Sequence, residues 1–465
     1  MSQFKLLIGG RLEDGDLSMA VINPATEEVL AECPRASEAQ LDRAVAAAKS
    51  AFPVWSSLPA ATRARALNAA ADIAESNSAE LARLLTQEQG KPLKDATVEI
   101  AGMIQDFRYF ATLELKVETS IDKRGRKIEI HRRPLGVVGV IIPWNFPMVL
   151  VGSRVPPALM AGNTVVVKPA PTTPLSTLRF AELIKDVFPP GVFNVITDAN
   201  DLGSALTQHP DVRKISFTGS TATGRKVMAN AADTLTRITL ELGGNDAAIV
   251  LDDVDPKKAA PKIFSGAFHN SGQVCIALKR LYVHDSIYDS MCNELVGLAD
   301  AAVVGDGLEQ GTQLGPLQNR MQYEKVKAIF DDAKQHGTVL TGGPMEGKGY
   351  FMRPAIVRDI AEGARLVDEE QFGPVLPVIR YSDPEDALAR ANASPYGLGG
   401  SVWSSDIERA HALAARMDTG TVWINQHMGL SSNVPFGGAK QSGIGIEMGG
   451  EEGMREFTQV QVIAG

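Results

Sequence analysis

The sequence predicts an α/β protein built on two parallel, helix-covered sheets, and three observations carry that reading. From about residue 135, short apolar runs rich in Val and Ile alternate with helical stretches. The same alternation resumes after residue 280. At 465 residues, 44% hydrophobic and 22% charged, the chain is long enough for two or three domains with large cores. Strands that read as unbroken apolar runs belong to sheets buried on both faces, and such sheets bind ligands at the carboxyl ends of their strands.

In chain order, Ser37-Glu38-Ala39-Gln40 is a capping box, and Leu41, Ala44, Val45, Ala48 and Phe52 follow at helical spacing, predicting a helix over 37–52. Helices are expected at 60–76 and 78–88, the latter stopped by Gln89-Gly90-Lys91-Pro92, so the front quarter reads as mostly helical. Lys116 to Arg133 alternates polar and apolar residues, as does the tail Phe457 to Ile463, and the two are expected to pair with each other or with another subunit. The buried strands are Val137 to Ile142, Thr164 to Lys168, Val192 to Ile196, Ile215 to Thr218 and Ala247 to Leu251, with helices at 175–187, 201–208 and 223–230 between them. Arg280 to Val283, Val375 to Tyr381, Gly400 to Trp403 and Thr421 to Ile424 supply strands for a second sheet.

Charge and composition exclude several classes. A net charge of −9 opposes nucleic-acid and anionic-membrane partners, which need a basic face. The start Met1-Ser2-Gln3-Phe4-Lys5-Leu6 has no leader pattern, giving a cytoplasmic expectation. Leu135 to Val167 is apolar enough to suggest a membrane span, but Pro143, Asn145, Pro147, Arg154 and Pro156-Pro157 interrupt it. Three cysteines, Cys33, Cys275 and Cys292, leave no disulfide framework or Cys-rich metal site.

Cys275 ends the run Phe268-His269-Asn270-Ser271-Gly272-Gln273-Val274-Cys275, about thirty residues after Glu241-Leu242-Gly243-Gly244. A free cysteine is by default a small apolar core residue. Glycine and polar neighbours instead suit a loop that approaches a ligand, offering a thiol nucleophile with a carboxylate base elsewhere. Phe217-Thr218-Gly219-Ser220-Thr221-Ala222-Thr223-Gly224 follows a strand and opens a helix, where N–H groups face a phosphate or simply a capped turn. It is neither Gly-x-Gly-x-x-Gly nor a triphosphate loop, because Arg225-Lys226-Val227 follows its second glycine. Lys168 at a strand end, and Glu370 and Phe372 before another strand, suit ribose hydroxyls and a flat ring, or a solvated surface.

The chain resembles the aldehyde dehydrogenase superfamily over nearly its whole length. The resemblance rests on seven motifs in order: Pro143-Trp144-Asn145-Phe146-Pro147, Lys168-Pro169-Ala170, Phe217-Thr218-Gly219-Ser220, Glu241-Leu242-Gly243-Gly244, Gly272-Gln273-Val274-Cys275, Glu370-Gln371-Phe372-Gly373-Pro374 and Pro435-Phe436-Gly437-Gly438. It implies a Rossmann-like NAD(P)-binding domain (1–116 and 135–243), a second α/β catalytic domain (244–442), and a small β bridging element for oligomerisation (117–134 and 443–465). It also implies a homodimer or homotetramer, an aldehyde substrate, NAD as cofactor with NADP admitted, and no metal.

Residue by residue, the resemblance makes Cys275 the nucleophile, Glu241 the general base and Asn145 an oxyanion donor with the Cys275 N–H. Lys168 and Glu370 would hold the riboses, Gly219, Ser220 and Gly224 border the pyrophosphate, and Trp144 and Phe372 pack near the rings. Ile142, Pro143, Gly203, Phe217 and Leu242 complete the implied cofactor contacts. Three residues after Lys168, where many NAD-preferring members carry Glu, stands Pro171, so no charge opposes a 2′-phosphate. Arg154 replaces the family's usual Lys and cannot relay a proton; Glu447 matches a glutamate sometimes assigned to proton transfer. Met148, Val149, Ser153, His269, Ile276 and the loop Asn425 to Val434 correspond to the substrate tunnel, where the small Ser153 suggests a roomier pocket. A thiol hydrolase using only Cys275 and Glu241 is the alternative chemistry.

Overall fold

A computed structural model describes residues 3–465 and assembles the predicted strands into two large sheets. Met1 and Ser2, part of the stretch read for a leader, lie outside the described residues. The first sheet has eight strands in the order Arg11–Glu13, Leu6–Ile8, Phe193–Val195, Thr164–Pro169, Val137–Ile142, Val212–Thr218, Arg237–Glu241, Gly443–Ile444. Its five middle strands are parallel, and antiparallel strands close both edges. The order reverses at Val137–Ile142: the chain runs outward on one side through Thr164–Pro169 and Phe193–Val195, then returns to the other side at Val212–Thr218. A crevice opens where such a reversal splits the loops at the carboxyl ends of the strands. Pro143-Trp144-Asn145 and Gly219-Ser220 are the loops at that point.

The second sheet orders Thr338–Pro344, Met352–Arg358, Val375–Tyr381, Leu278–His284, Asp246–Val250, Gly399–Trp403 and Thr421–Ile424, parallel except for the first pair. Every residue of Val137–Ile142, Thr164–Pro169 and Asp246–Val250 is buried, which explains their unbroken apolar or small-residue runs. Burial of each large aliphatic side chain there contributes roughly 1.5–3 kcal/mol. The expected pairing of the tail is observed: Thr458–Ala464 runs antiparallel to Lys127–Pro134, which pairs with Glu118–Ile121. This third sheet has exposed apolar residues, among them Ile121, Val460 and Val462.

The first helix is capped as predicted, with Gln40 N donating to Ser37 Oγ at 3.3 Å and Ser37 N to Gln40 Oε1 at 3.2 Å. It continues to Ser57, past the expected end, because Trp55 is buried and its indole donates to Leu159 O at 3.1 Å, docking the last turn. Elsewhere the front quarter departs from its helical reading. Leu6–Ile8 and Arg11–Glu13 form a hairpin on the sheet edge, and Leu17–Asn23 pairs with Glu28–Arg35. Gly443–Ile444, grouped from sequence with the bridging segment, instead adds the last strand of the eight-stranded sheet beside Glu241.

Candidate active site

The crevice is a cleft of about 660 Å³, and three distant stretches of sequence meet in it. Cys275, Glu241 and Asn145 line it together with Ile142, Pro143, Trp144, Lys168, Phe217, Gly219, Ser220, Leu242, Glu370 and Phe372. Gly203 and Gly224 do not line it. Gly203 opens the helix Gly203–Gln208 away from the cleft. Gly224 lies one turn inside the helix Thr221–Ala232, where a Cβ would stand 2.4 Å from Leu242 Cδ2, so its smallness lets that helix approach the strand end.

The Cys275 loop is held by its own backbone. Asn270, Ser271 and Gly272 have φ of 51°, 56° and 74°, a left-handed run before Cys275. A Cβ on Gly272 would meet Gly373 O at 2.4 Å. Holding Ser271 in this region costs roughly 1–3 kcal/mol. Compensation comes from Ser271 Oγ donating to Gly315 O at 2.7 Å, and from the buried Gln273, whose Oε1 accepts from Gln318 N at 2.8 Å. Asn145 Nδ2 donates to Gln273 O at 3.1 Å, while Asn145 O accepts from Lys91 Nζ at 2.9 Å and Asn270 Nδ2 at 3.1 Å. One hydrogen of the Asn145 amide is thus committed to orientation and the other is left for a ligand.

Glu241 ends the strand Arg237–Glu241 and is 2% exposed. Its Oε1 has no hydrogen-bond partner, and its side chain contacts that of Cys275. Burial, reinforced by Glu447, raises its carboxyl to about 8. Burial, then the Glu241 carboxylate, hold the Cys275 thiol well above the usual thiol range. Both shifts favour the proton-bearing forms of the pair. Beneath it, Arg154 pairs with Glu447, donates through Nε to Thr218 Oγ1 at 3.1 Å and through NH1 to Ser153 Oγ at 3.0 Å. Ser153 is thereby turned toward Arg154, and it does not line the cleft.

The other end of the cleft has the features of a dinucleotide site. The helix Thr221–Ala232 begins there, with Ser220 Oγ accepting from Thr223 N at 3.2 Å, so its first N–H groups and dipole favour an anion. Trp144 and Phe372 stand edge to face with centroids 5.4 Å apart. Glu370 Oε1 accepts from Gly244 N at 2.9 Å, and a Cβ on Gly243 would come 2.5 Å from Glu370 Oε2, so a side chain there would make this carboxylate shift. Lys168 Nζ donates to Asp198 Oδ1 at 2.6 Å, which leaves its remaining hydrogens for hydroxyl acceptors. Phosphate-facing N–H groups, two carboxylate or ammonium anchors and an aromatic pair fit a dinucleotide.

Sequence reasoning missed Gln318, Gln322, Lys325 and Tyr350, which also line the cleft. Lys325 Nζ donates to Glu370 O at 2.7 Å, and Gln322 Nε2 to Phe372 O at 2.9 Å, so this helix fixes the Glu370 loop. The available signal was Asn319, an N-cap whose side chain accepts from Gln322 N at the start of Arg320–His336. Among the described residues no three His, Cys, Asp or Glu side chains cluster to hold a metal ion, and no helix is long and apolar enough to cross a membrane.

A cleft that brings together a thiol, a buried carboxyl and an anion-favouring helix N-terminus fits an oxidoreductase that takes a dinucleotide. The family model described as the aldehyde dehydrogenase family matches residues 12–463. Aldehyde dehydrogenase LUC3 of Fusarium sp is 40% identical over 464 residues, covering 99% of this chain and 98% of that protein. The mitochondrial aldehyde dehydrogenase of Leishmania tarentolae is 41% identical, covering 97% and 92%. Among solved structures, the NAD+ complex of aldehyde dehydrogenase from Bacillus cereus is 37% identical with a TM-score of 0.97, covering 99% of this chain and 96% of that one. The NAD-dependent aldehyde dehydrogenase from Sinorhizobium meliloti is 34% identical with a TM-score of 0.96, covering 99% and 94%. The chain belongs to the aldehyde dehydrogenase family and is an NAD(P)-dependent enzyme of that family.

Proposed function

We propose that the chain oxidises an aldehyde to its carboxylic acid with NAD, through a thiohemiacetal and a thioester on Cys275. The observation that carries this reading is the meeting of Cys275, Glu241 and Asn145 at one end of a cleft whose other end is a helix N-terminus. Cys275 gives its thiol proton to solvent as its sulfur bonds to the carbonyl carbon, which leaves the Glu241 carboxylate free for the later water step. The free Asn145 amide hydrogen and the Cys275 N–H stabilise the resulting oxyanion, each donor contributing roughly 3–4 kcal/mol. Collapse of that oxyanion would break the former aldehyde C–H bond and release hydride, for which NAD would supply the acceptor, leaving the thioester on Cys275. Glu241 next takes a proton from water, the hydroxide adds to the thioester carbon, and the Cys275 thiolate leaves with the acid released.

Lys168 and Glu370 hold the two riboses, with the Ser220 helix end at the pyrophosphate. NAD complexes of relatives such as the Bacillus cereus enzyme support the cofactor. Pro171 lines the cleft and brings no charge against a 2′-phosphate, so NADP is a weaker second cofactor. We assign 1–116 with 135–243 to cofactor binding, 244–442 to catalysis, and 117–134 with 443–465 to bridging, with Gly443–Ile444 returning to the cofactor sheet. The exposed Ile121, Val460 and Val462 of the small sheet form the contact of a homodimer or homotetramer, and the acidic chain works in the cytoplasm.

The test is nicotinamide reduction over a panel from acetaldehyde to bulky aromatic aldehydes, with both nicotinamides, beside Cys275→Ala. Aldehyde-dependent reduction that Cys275→Ala abolishes supports the reading. Ester cleavage without any nicotinamide reduction assigns the pair to hydrolysis instead.

A further inference from the structure

Lys279 is the second residue of the strand Leu278–His284, is 1% exposed, and turns its side chain back toward the nucleophile. Its Nζ donates to Cys275 O at 2.6 Å and to Val274 O at 2.8 Å, and stands 3.6 Å from Glu370 Oε1. Removing an ammonium from water to this depth is costly unless its partners are strong, so a lysine here needs a reason beyond packing.

The geometry supplies one. Every peptide bond described is trans, which holds each C=O and the following N–H in one plane, pointing in opposite directions across the C–N bond. An ammonium that grips Val274 O therefore fixes the direction of the Cys275 N–H, the backbone donor of the oxyanion site. Ala277 N donates to the same carbonyl at 3.1 Å and closes the turn from the other side. Below the loop, the charged and titratable groups facing Lys279 are Glu370, Asp246 on the adjacent strand, Lys325 on the helix Arg320–His336, and His427 from the loop after Thr421–Ile424. Around Cys275 itself, Glu241 and Asp246 disfavour the thiolate and Lys279 opposes them. Asp246 is fully buried with the Gly399 backbone N–H beside it, and His427 Nε2 is 3.8 Å from its Oδ2.

We propose that Lys279 is a positioning residue for the nucleophile: its ammonium sets the peptide plane that aims the Cys275 N–H, and it supplies the cation that favours the Cys275 thiolate. This rests on Cys275 being the nucleophile of the reading above. Because the same ammonium reaches Glu370, one buried charge ties the nucleophile loop to the ribose-binding carboxylate.

The experiment is the pH dependence of iodoacetamide alkylation of Cys275 between pH 7 and 11, read by peptide mass, in the full-length wild type, Lys279→Met, Lys279→Arg and Asp246→Asn. Loss of the cation in Lys279→Met is expected to move the alkylation midpoint up by about one pH unit, roughly tenfold slower labelling at fixed pH. Lys279→Arg keeps the charge and stays near the wild type. Asp246→Asn, which removes an opposing negative charge, moves the midpoint down and decides the matter if Lys279→Met fails to fold. A purely structural lysine would lower the folded fraction without moving the midpoint. Unchanged midpoints in folded Lys279→Met, or in Asp246→Asn where the lysine variant does not fold, overturn the proposal. Labelling is measured without aldehyde or cofactor, so it judges Lys279 separately; aldehyde oxidation retained in Cys275→Ala would overturn the functional reading instead.

Discussion

Arg154 and Glu447 form a buried ion pair beside the Glu241 carboxyl, linking a helix that follows the Asn145 loop to the short strand Glu447–Met448 near the carboxyl terminus. Glu447 is the largest influence on Glu241 after burial itself, and both carboxyls are raised by desolvation. A base works only when ionised, so the proposed role of Glu241 predicts activity that rises with pH through about 8. Glu447→Gln removes the negative charge and is expected to shift the rising limb of kcat/KM to lower pH. A pH–rate profile in which that limb stays in place would remove Glu447 from this role.

Breaking the same pair from the other side affects stability. Arg154→Met leaves Glu447 buried without its cation, at a cost of roughly 3–5 kcal/mol. Chemical denaturation measures it, and a change within about 0.5 kcal/mol would show that the pair is not closed in solution.

Glu241 also links stability to pH. Its folded pKa lies above the unfolded value, so its contribution is fully present below about 4.5 and is lost as pH rises through about 8. Glu241→Gln is therefore expected to be more stable than the wild type at pH 9, by on the order of 2 kcal/mol, with the gain vanishing at low pH. Urea midpoints at the two pH values check the sign. Turnover is lost in the same variant.

The Gly243–Glu370 contact makes a separate prediction for cofactor binding. Alanine at 243 would place a Cβ 2.5 Å from Glu370 Oε2, forcing the carboxylate off its bond to Gly244 N. Gly243→Ala and Glu370→Gln should each raise the KM for NAD about five- to thirtyfold, equal to roughly 1–2 kcal/mol, with a smaller effect on the aldehyde. Equal effects on both substrates would place Glu370 outside the cofactor site.

Much of this was legible because parallel buried strands write themselves as apolar runs. Val137 to Ile142, Val375 to Tyr381 and Thr421 to Ile424 carry the same bounds in sequence and structure. Arg237–Glu241 was missed, although it bears the proposed base, because Arg237 and Thr239 interrupt the run while the strand is completed by Gly443–Ile444 from two hundred residues away. The edge hairpin Leu6–Glu13 had a local signal in Gly9-Gly10, a two-residue turn with both φ positive, which the helical patterns after it overshadowed. Chemistry-bearing residues were readable from motifs, but their supports were not. Lys279, Gln318 and Lys325 act through backbone carbonyls and turns, and a carbonyl has no letter in the sequence.

The most direct measurement is a single turnover of Glu241→Gln with saturating NAD and an aromatic aldehyde, followed by quenching and peptide mass mapping. Slowed thioester hydrolysis predicts one equivalent of NADH per active site and an acyl adduct on the Cys275 peptide alone, Cys33 and Cys292 being buried with thiols raised to about 12 and about 11. NADH formed with no adduct on Cys275, or an adduct on another residue, would contradict the account.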